Sequence, residues 1–397
     1  MKRKDLPKSI DIFFKQNTKQ YKYLYRRMLD LEIIKKAYKK LRKGKTKRKE
    51  IQYIDQHLDE ESEKMLEMVR NTRPNAEHPE LGYRPRKRTP KIIHEHGKER
   101  KIYMPEIHEQ WLHHIIVLVL EPIITATSYP YSCGSFPKRG AHYGKKKLFS
   151  WIKRGKGIRN FAKIDIRHFY DNVRINILLR ELSIRIKDNW FLYIIRLCLS
   201  GFKKGIPLGF YISQWLANYL LEPLDVFITK QLGFNKMERY MDDIVIMDDN
   251  KKKLHFAISS IRQFLGQRLR LKLKRNYQVC KFWYKNNTKT IGREINYMWF
   301  LFYRNRIAIR KNIMISAVRL AKKLKKRKND AKRFYSKDIR GMLSYIGWFD
   351  CTNTYNCYKH YIKPCVNIKK LKKIVSVIER REKYEELENG KLLRNAA

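Results

Sequence analysis

The order of apolar and polar positions predicts helical segments towards both ends of the chain and short strands in its middle. Residues 31–41 carry apolar side chains at the spacing of one helix face. From residue 161 to about residue 309, short apolar runs alternate with longer periodic segments, which is typical of strands and helices in turn. Residues 239–247 fit two strands joined at Asp242–Asp243. This order, with an antiparallel hairpin, predicts an α+β domain and not a doubly wound sheet.

Further elements are predicted around that domain. Residues 91–105 fit a hairpin, and residues 111–120 fit a buried helix that ends before Pro122, since proline interrupts a helix. Residues 212–229 fit a longer apolar helix. Residues 313–328 and 368–381 fit amphipathic helices with basic polar faces.

The charge of the chain is extreme for a globular protein. Its 397 residues are 43% hydrophobic, which excludes a disordered basic tail, yet 90 Lys and Arg stand against 38 Asp and Glu, a net charge of +52. A surface this positive repels itself unless it meets a polyanion. Basic residues recur along the whole chain with Tyr and Trp between them, which favours a long nucleic-acid groove over a localisation signal. An anionic membrane surface is the alternative partner.

Neither the apolar runs nor the cysteines suggest a secreted or membrane-spanning protein. The longest apolar run, residues 115–120, is too short to cross a bilayer. The six cysteines include no CxxC pair, which fits free thiols in a reducing compartment, and we expect a cytoplasmic protein with no membrane partner. Cys351, Cys357, His360 and Cys365 could in principle bind zinc, but their spacing and apolar neighbours favour core packing.

Three carboxylates stand out because acidic residues are scarce in this chain. Asp165 lies inside an apolar strand, and Asp242 and Asp243 lie at the tip of the predicted hairpin. Ionised carboxylates in apolar surroundings are unfavourable unless a cation compensates them. In a phosphate-binding protein, such hard oxygen ligands suit Mg²⁺, and two ions would serve an in-line phosphoryl transfer to a primer 3′-hydroxyl. The alternative for Asp242–Asp243 alone is an ordinary hairpin turn, which Asp favours.

Motifs around these carboxylates resemble those of reverse transcriptases, in the same order along the chain. Residues 240–243 (YMDD) resemble their catalytic hairpin, and residues 165–171 (DIRHFYD) resemble their first palm motif. Residues 205–214 (GIPLGFYISQ) resemble the motif between them. Residues 100–105 (RKIYMP) and 131–140 resemble two successive fingers segments. The match runs from about residue 90 to residue 310, and it implies a right-hand polymerase fold of fingers, palm and thumb.

The resemblance implies a set of catalytic roles. Asp165 and Asp242 would bind two Mg²⁺ ions with the help of the Ile166 carbonyl, and Asp243 would be the supporting carboxylate. Lys274 is a candidate for the proton donor to pyrophosphate. The substrates implied are deoxynucleoside triphosphates.

The resemblance also implies contacts to the substrates. Tyr170 falls where the family has a steric gate, a ring that excludes the ribose 2′-hydroxyl, and Phe169 would pack beside it. Arg100, with Lys98 as a second residue, falls on the fingers position that clamps the triphosphate, which suits a guanidinium. A core tyrosine and a solvated strand edge are the alternatives for these positions. The incoming nucleotide would also meet Leu208 and Gly209. The residues assigned to template and primer are Ser213, Gln214, Tyr240 and Met241.

One departure narrows the resemblance. Most reverse transcriptases have Gln before the glycine of the middle motif, whereas this chain has Leu208, and its motif ends in Ser213-Gln214. That combination resembles the enzymes of diversity-generating retroelements, which copy a template-repeat RNA with errors at template adenines. Leucine offers only dispersion contact where Gln would hydrogen-bond the nucleotide, which narrows the free-energy gap between correct and incorrect pairs. The resemblance implies error-prone cDNA synthesis for mutagenic retrohoming, in bacteria or phage, with a small basic pentameric accessory protein.

The expected organisation is a basic helical N-terminal extension (1–85), fingers (86–160), a palm with the catalytic hairpin (161–309) and a helical thumb with a basic tail (310–397). The expected nucleic-acid partners are the template RNA and the RNA–DNA duplex. Two other functions stay open, a solitary bacterial antiphage-defence reverse transcriptase and a non-catalytic RNA-binding scaffold with the polymerase fold. The intact carboxylates argue against the scaffold, because a degenerate site would have lost at least one of them.

Overall fold

A computed structural model of the chain describes residues 19–395, apart from residues 87, 96–97, 156–157, 203, 286–288, 331 and 333. For residues 95, 98, 285, 382–383 and 385–395 it describes the backbone alone. The chain divides into two units: unit 1 comprises residues 1–147 and 157–279, and unit 2 comprises residues 148–156 and 280–397. This division falls before residue 310, where the thumb was expected to begin, and the four-part organisation stays a prediction.

The predicted helical start of the chain is helical from residue 24 onward, whereas its residues 1–18 lie outside the described residues. Its helices are α1 (Leu24–Met28), α2 (Leu31–Leu41), α3 (Lys49–Gln56) and α4 (Leu58–Asn71). The apolar side of α2 is buried, and Asp30 caps its first turn by accepting a hydrogen bond from the Glu32 amide. The Trp111 indole donates to the Ile34 carbonyl at 2.8 Å, which attaches these helices to the core of unit 1.

Helix α5 (Ile107–Thr127) runs through the core of unit 1. It continues past Pro122, so the predicted end before that proline is wrong. Leu120, Ile123 and Ile124 on both sides of the proline are almost fully buried, and this packing outweighs the missing amide donor. By length and composition α5 could cross a membrane, a test that buried core helices also pass, and 61% of its most apolar window is buried within the protein.

Unit 1 contains two sheets. The predicted hairpin near residue 100 consists of β1 (Lys91–Glu95) and β2 (Lys98–Ile102). The second sheet has the order β3-β5-β6-β4-β7, with β3 (Ser132–Cys133), β4 (Asn160–Asp165), β5 (Met237–Tyr240), β6 (Asp243–Asp248) and β7 (Gln278–Lys281), whose last two residues are assigned to unit 2. Strand β6 lies between β5 and β4 and is antiparallel to both, whereas β3 is parallel to β5. The α+β fold class is therefore confirmed.

The turn of the catalytic hairpin lies one residue earlier than predicted. Tyr240 pairs with Asp243 across the hairpin, so the turn consists of Met241 and Asp242, and Asp243 is already the first residue of β6. The apolar run that follows Asp243 favours strand pairing from that residue onward.

The helices that follow β3 have these bounds: α6 (Ala141–Arg154), which crosses from unit 1 into unit 2, and α7 (Phe169–Asn172), α8 (Ile175–Arg185), α9 (Asn189–Leu199), α10 (Tyr211–Val226) and α11 (Lys251–Phe264) in unit 1. The apolar helix predicted at residues 212–229 is α10 together with a π-helical turn, Phe227–Gln231. Helix α10 is buried along most of its length and packs against α5 and α8.

Unit 2 combines short strands with a group of helices. The strands are β8 (Tyr284–Lys285), β9 (Thr290–Ile291), β10 (Ile295–Tyr297), β11 (Phe300–Phe302) and β12 (Ile307–Ile309). The helices are α12 (Lys311–Asn329), α13 (Ser336–Asp350), α14 (Tyr355–Cys357) and α15 (Ile368–Asn395). The two basic amphipathic helices predicted for this region lie within α12 and α15, and their apolar sides share one core with α13.

The zinc alternative for the cysteine cluster finds no support in unit 2. Among the described residues, no group of three or more His, Cys, Asp or Glu is arranged to hold a metal ion. The Cys357 thiol points to the Met314 sulfur, and His360 Nδ1 lies 2.8 Å from the Asn356 carbonyl. Cys357 and Cys365 pack against the unit 2 core, which agrees with the packing interpretation.

Candidate active site in unit 1

The strand register gathers the three predicted carboxylates at one end of the second sheet. Asp165, the last residue of β4, lies directly opposite Asp243, the first residue of β6. Asp242 precedes Asp243 in the hairpin turn. The turn is strained, because Met241 has a φ of 55°, a left-handed conformation that a side chain other than glycine rarely adopts.

Burial makes the ionised forms of two of these carboxylates unfavourable. Burial, reinforced by the charge of Asp165, raises the pKa of Asp242 to about 6. Burial also raises the pKa of Asp243 to about 6, against the nearby Lys163 ammonium. Lys274 Nζ lies 2.6 Å from Asp165 Oδ2, and Lys163 Nζ lies 3.4 Å from Asp243 Oδ2. The two lysines contact Asp165 and Asp243, whereas the positive charge of Arg100 acts on Asp242.

The carboxylates fit a divalent metal ion by their chemistry, although they do not converge as a ready-made ligand set. Asp165 Oδ1 is buried and accepts no hydrogen bond within the described part of the chain. The Ile166 amide donates to the Asp242 carbonyl at 3.4 Å, so the backbone of Ile166 lies beside the turn. Carboxylate and carbonyl oxygens are the ligands that Mg²⁺ takes, and Asp165, Ile166 and Asp242 could supply them once Asp165 turns from Lys274.

Tyr170 and Arg100, two of the predicted nucleotide residues, lie within electrostatic range of Asp242. Phe169 is buried and Tyr170 half-buried on α7, with ring centroids 5.5 Å apart in an edge-to-face arrangement. Burial and the charge of Asp242 raise the pKa of Tyr170. The positive charge of Arg100 acts to lower the pKa of Tyr170 and the pKa of Asp242. Arg100 from β2 is therefore within electrostatic range of the tyrosine and the aspartate. The side chain of Lys98 lies outside the described residues.

Leu208 and Gly209 lie against the chain that follows β2. The Tyr103 amide donates to the Leu208 carbonyl at 2.8 Å. Gly209 has a φ of 103°, and a Cβ at this position would lie 2.0 Å from the Tyr103 carbonyl oxygen. The close approach of two backbones thus explains why a glycine follows Leu208.

The predicted template and primer residues differ in exposure. Gln214 at the start of α10 is exposed, and its Oε1 accepts a hydrogen bond from Ser135 at 3.0 Å. Ser213 is buried, and its Oγ has no hydrogen-bond partner among the described residues. Tyr240 and Met241 are half-buried at the hairpin. Within this group Gln214 presents the more accessible side chain, whereas Ser213 faces the protein interior.

Sequence reasoning missed a charged pair directly behind the turn. Arg239 and Asp225 are each at most 1% exposed, and the guanidinium donates to both carboxylate oxygens, at 2.7 and 2.6 Å. Arg239 Nη1 also donates to the Met241 carbonyl at 2.9 Å. The available signal was an arginine inside an apolar strand and an aspartate inside an apolar helix, since isolated buried charges are unfavourable.

Comparisons with known proteins give one family and several distant structures. The family model described as reverse transcriptase (RNA-dependent DNA polymerase) matches residues 85–298, more than half of the chain. An uncharacterized 91 kDa protein in the cob intron of Schizosaccharomyces pombe is 29% identical over 142 residues, which cover 33% of this chain and 17% of that protein.

Two telomerase structures align at low similarity. Apo telomerase from Candida tropicalis gives a TM-score of 0.46 at 12% identity, over 70% of this chain and 54% of that one. Telomerase from Candida albicans, in complex with a TWJ fragment of telomeric RNA, gives 0.43 at 12% identity, over 76% and 59%. The chain thus spans a small part of the intron protein and little more than half of each telomerase chain.

Gly209→Ala should destabilise unit 1, because the new Cβ meets the Tyr103 carbonyl and the left-handed φ is unfavourable for alanine. We expect a loss of about 2 kcal/mol or more in the free energy of unfolding, measured by denaturant titration. Gly201→Ala is the matched control, since a Cβ there meets nothing within 4 Å. Equal stabilities of the two variants would contradict the close approach described here.

Proposed function

The chain belongs to the reverse transcriptase (RNA-dependent DNA polymerase) family, and from this premise we propose that it copies an RNA template into DNA. The family's right-hand polymerase fold agrees with the α+β architecture of unit 1. The observation that carries the proposal is the cluster of Asp165, Asp242 and Asp243 at one end of the sheet, beside Tyr170 and within electrostatic range of Arg100.

Each of these residues would have a separate role in nucleotide addition. Asp165 and Asp242, assisted by the Ile166 carbonyl, would hold two Mg²⁺ ions, whose chemistry when bound is to activate the primer 3′-hydroxyl and to stabilise leaving pyrophosphate. Arg100 would bind the triphosphate with its guanidinium. Tyr170 would close the space beside the sugar C2′, so that deoxynucleotides fit and ribonucleotides do not. Lys274 already contacts Asp165 and is the nearest candidate for a proton donor to pyrophosphate.

The charge of the chain supports long contacts with nucleic acid. A net charge of +52 favours binding to template RNA and to the RNA–DNA duplex, because each neutralised phosphate releases counterions. None of the six cysteines forms a disulfide in the described residues, which supports a cytoplasmic location as part of the proposal.

For the biological role, we favour error-prone cDNA synthesis in a bacterial or phage diversity-generating retroelement, with a small basic pentameric accessory protein as partner. Leu208 supports this role, because an aliphatic side chain beside the incoming nucleotide offers no hydrogen bond. The Leu208 carbonyl is bound to the Tyr103 amide, so the position of this residue is set by the backbone. A template repeat and a variable repeat near the gene would distinguish this role from that of a solitary antiphage-defence enzyme.

Asp242→Asn should lower the rate of primer extension on a defined RNA template by at least about a hundredfold, because it removes a charged metal ligand from a preorganised site. Circular dichroism and thermal melting should show an unchanged fold. Asp171→Asn is the matched control, since Asp171 lies in the same motif but its side chain is 80% exposed. Retained extension by Asp242→Asn would refute the proposed activity.

Leu208→Gln should lower misincorporation opposite template adenine, because a hydrogen-bonding side chain beside the nucleotide widens the free-energy gap between correct and incorrect pairs. We expect a reduction of about threefold to tenfold, read by sequencing cDNA made on a defined RNA. Leu208→Met, which keeps the dispersion contact, is the control and should preserve the error pattern. An error profile unaffected by Leu208→Gln would remove this residue from the explanation.

A further inference from the structure

We propose that Arg239 is a positioning residue that holds the catalytic turn in its strained conformation and so sets the direction of the Asp242 carboxylate. This role rests on the proposed polymerase function. It concerns a residue that contacts neither the substrates nor the metal ligands directly, and that acts through the carbonyl of Met241.

The guanidinium of Arg239 uses separate donors for separate tasks. Nε and Nη2 bind the two carboxylate oxygens of Asp225, whereas Nη1 binds the Asn218 side-chain oxygen at 3.0 Å and the Met241 carbonyl at 2.9 Å. Asp225 and Asn218 both lie on α10, so their hydrogen bonds hold the Arg239 side chain against this helix. Arg239 in turn holds the catalytic turn through its hydrogen bond to the Met241 carbonyl. Lysine could not make this set of contacts, because its ammonium is a single point of charge.

The turn needs such support because its backbone is strained. A left-handed φ is unfavourable for a residue such as Met241 that carries a Cβ, and it persists only where the surroundings enforce it. The Met241 amide donates to the Cys133 carbonyl at 3.1 Å, and its sulfur lies 3.6 Å from Asn218 Nδ2. With Arg239 on its carbonyl, Met241 is held at its amide, its carbonyl and its side chain. Asp242 is the next residue, so the direction of its side chain depends on the conformation of Met241.

Stability alone does not account for the pair. A buried ion pair contributes little net stability, because desolvation offsets the attraction, and apolar residues of similar volume often serve as well. Among the described residues of unit 1, Arg185–Glu222 and Arg268–Glu181 are also buried pairs, each with an N–O distance of 2.8 Å. These two arginines bind carboxylates on α10 and α8, so their substitution measures the effect of losing a buried guanidinium that is paired with a helix.

The test compares Arg239→Lys with Arg268→Lys in the full chain. Both should lower the melting temperature to a similar degree. We expect kcat to fall about tenfold to a hundredfold in Arg239→Lys alone, with little change in the KM for dNTP and a higher Mg²⁺ concentration at half-maximal rate. Equal kcat values per folded molecule, or an unchanged Mg²⁺ requirement in Arg239→Lys, would overturn the proposal.

A second variant and a second readout keep this test decisive. Asn218→Ala removes one anchor of Arg239 and the contact to the Met241 sulfur, and it should shift kcat and the Mg²⁺ requirement in the same direction. The rise in melting temperature on adding Mg²⁺ needs no polymerisation, and it should be smaller in Arg239→Lys than in Arg268→Lys. If the wild-type chain shows this rise but extends no primer, the proposed activity fails while the positioning role stands.

A separate observation leads us to infer that a basic groove in unit 1 binds single-stranded RNA. The groove has a volume of about 850 Å³ and is formed by α8, α9 and the segment that follows α9. Arg174, Arg196 and Lys204 line it, and none of the described residues that line it carries a carboxylate. Leu179 and Phe202 supply an apolar floor.

The lining favours a single strand over a duplex. The ring of Phe202 is half-buried and fixed by an edge-to-face contact with Tyr103, with centroids 4.9 Å apart. Such a ring can stack only on a base that is not already stacked in a helix, while the surrounding cations meet phosphates. The Ile206 amide donates to the Tyr170 carbonyl at 2.9 Å, which links the segment forming the groove to the helix of the nucleotide site.

The test removes three charges in the groove and, as control, three exposed charges elsewhere in unit 1. The groove variant is Arg174→Gln, Arg196→Gln and Lys204→Gln, and the control is Lys22→Gln, Arg26→Gln and Arg27→Gln. With a labelled oligouridylate, we expect the groove variant to raise Kd at least about tenfold. The plot of the logarithm of the association constant against the logarithm of salt concentration should become less steep, its negative slope shrinking in magnitude by about 2. The control should change Kd less than about threefold.

Binding is measured without polymerisation, so the result does not depend on the proposed activity. Equal losses in both variants would show a general charge effect and overturn the inference. An equal loss of affinity for a blunt RNA duplex would overturn the preference for a single strand. If the groove variant lost binding of inorganic tripolyphosphate and kept that of the oligouridylate, the groove would be a triphosphate site instead.

Discussion

The repulsion between three carboxylates is the constraint on which the site in unit 1 depends. Strand register places Asp165 opposite Asp243, with Asp242 in the adjoining turn, and burial together with mutual repulsion raises the pKa of Asp242 and Asp243 to about 6. Lys163 and Lys274 offset only part of this charge. An arrangement that is unfavourable by itself and lies beside a half-buried tyrosine is typical of a site that gains its stability from a bound cation and phosphate groups.

The surrounding fold holds this arrangement by backbone contacts more than by side chains at the site. The Lys274 amide donates to the Asp165 carbonyl, and the Met241 amide donates to the Cys133 carbonyl. Behind the turn, Arg239 connects the Met241 carbonyl to α10, the helix whose first turn also carries Gln214. The helix assigned to the template and the turn assigned to the metal ions are therefore parts of one hydrogen-bonded structure.

The positive net charge of the whole chain contrasts with the cluster of carboxylates at one end of the second sheet. The protein as a whole carries +52, which favours association with a polyanion over its entire surface. At one end of the second sheet, by contrast, three carboxylates lie close together among the cations Lys163, Lys274 and Arg100. In the proposed reaction, divalent cations bound by these carboxylates would offset the repulsion between the carboxylates and the phosphates of the substrate.

The sequence by itself determined the α+β class, the helical start, the hairpin near residue 100 and the three carboxylates, because each is a local pattern of apolar spacing or a motif. Local patterns did not show that α5 continues through Pro122 or that the hairpin turn begins at Met241, since burial and strand register decide both. The burial of Ser213 and the exposure of Gln214 depend on what packs against α10. The contact of Arg239 with Asp225 and Met241 joins a strand to a helix and a turn, so only the tertiary structure could bring these residues together.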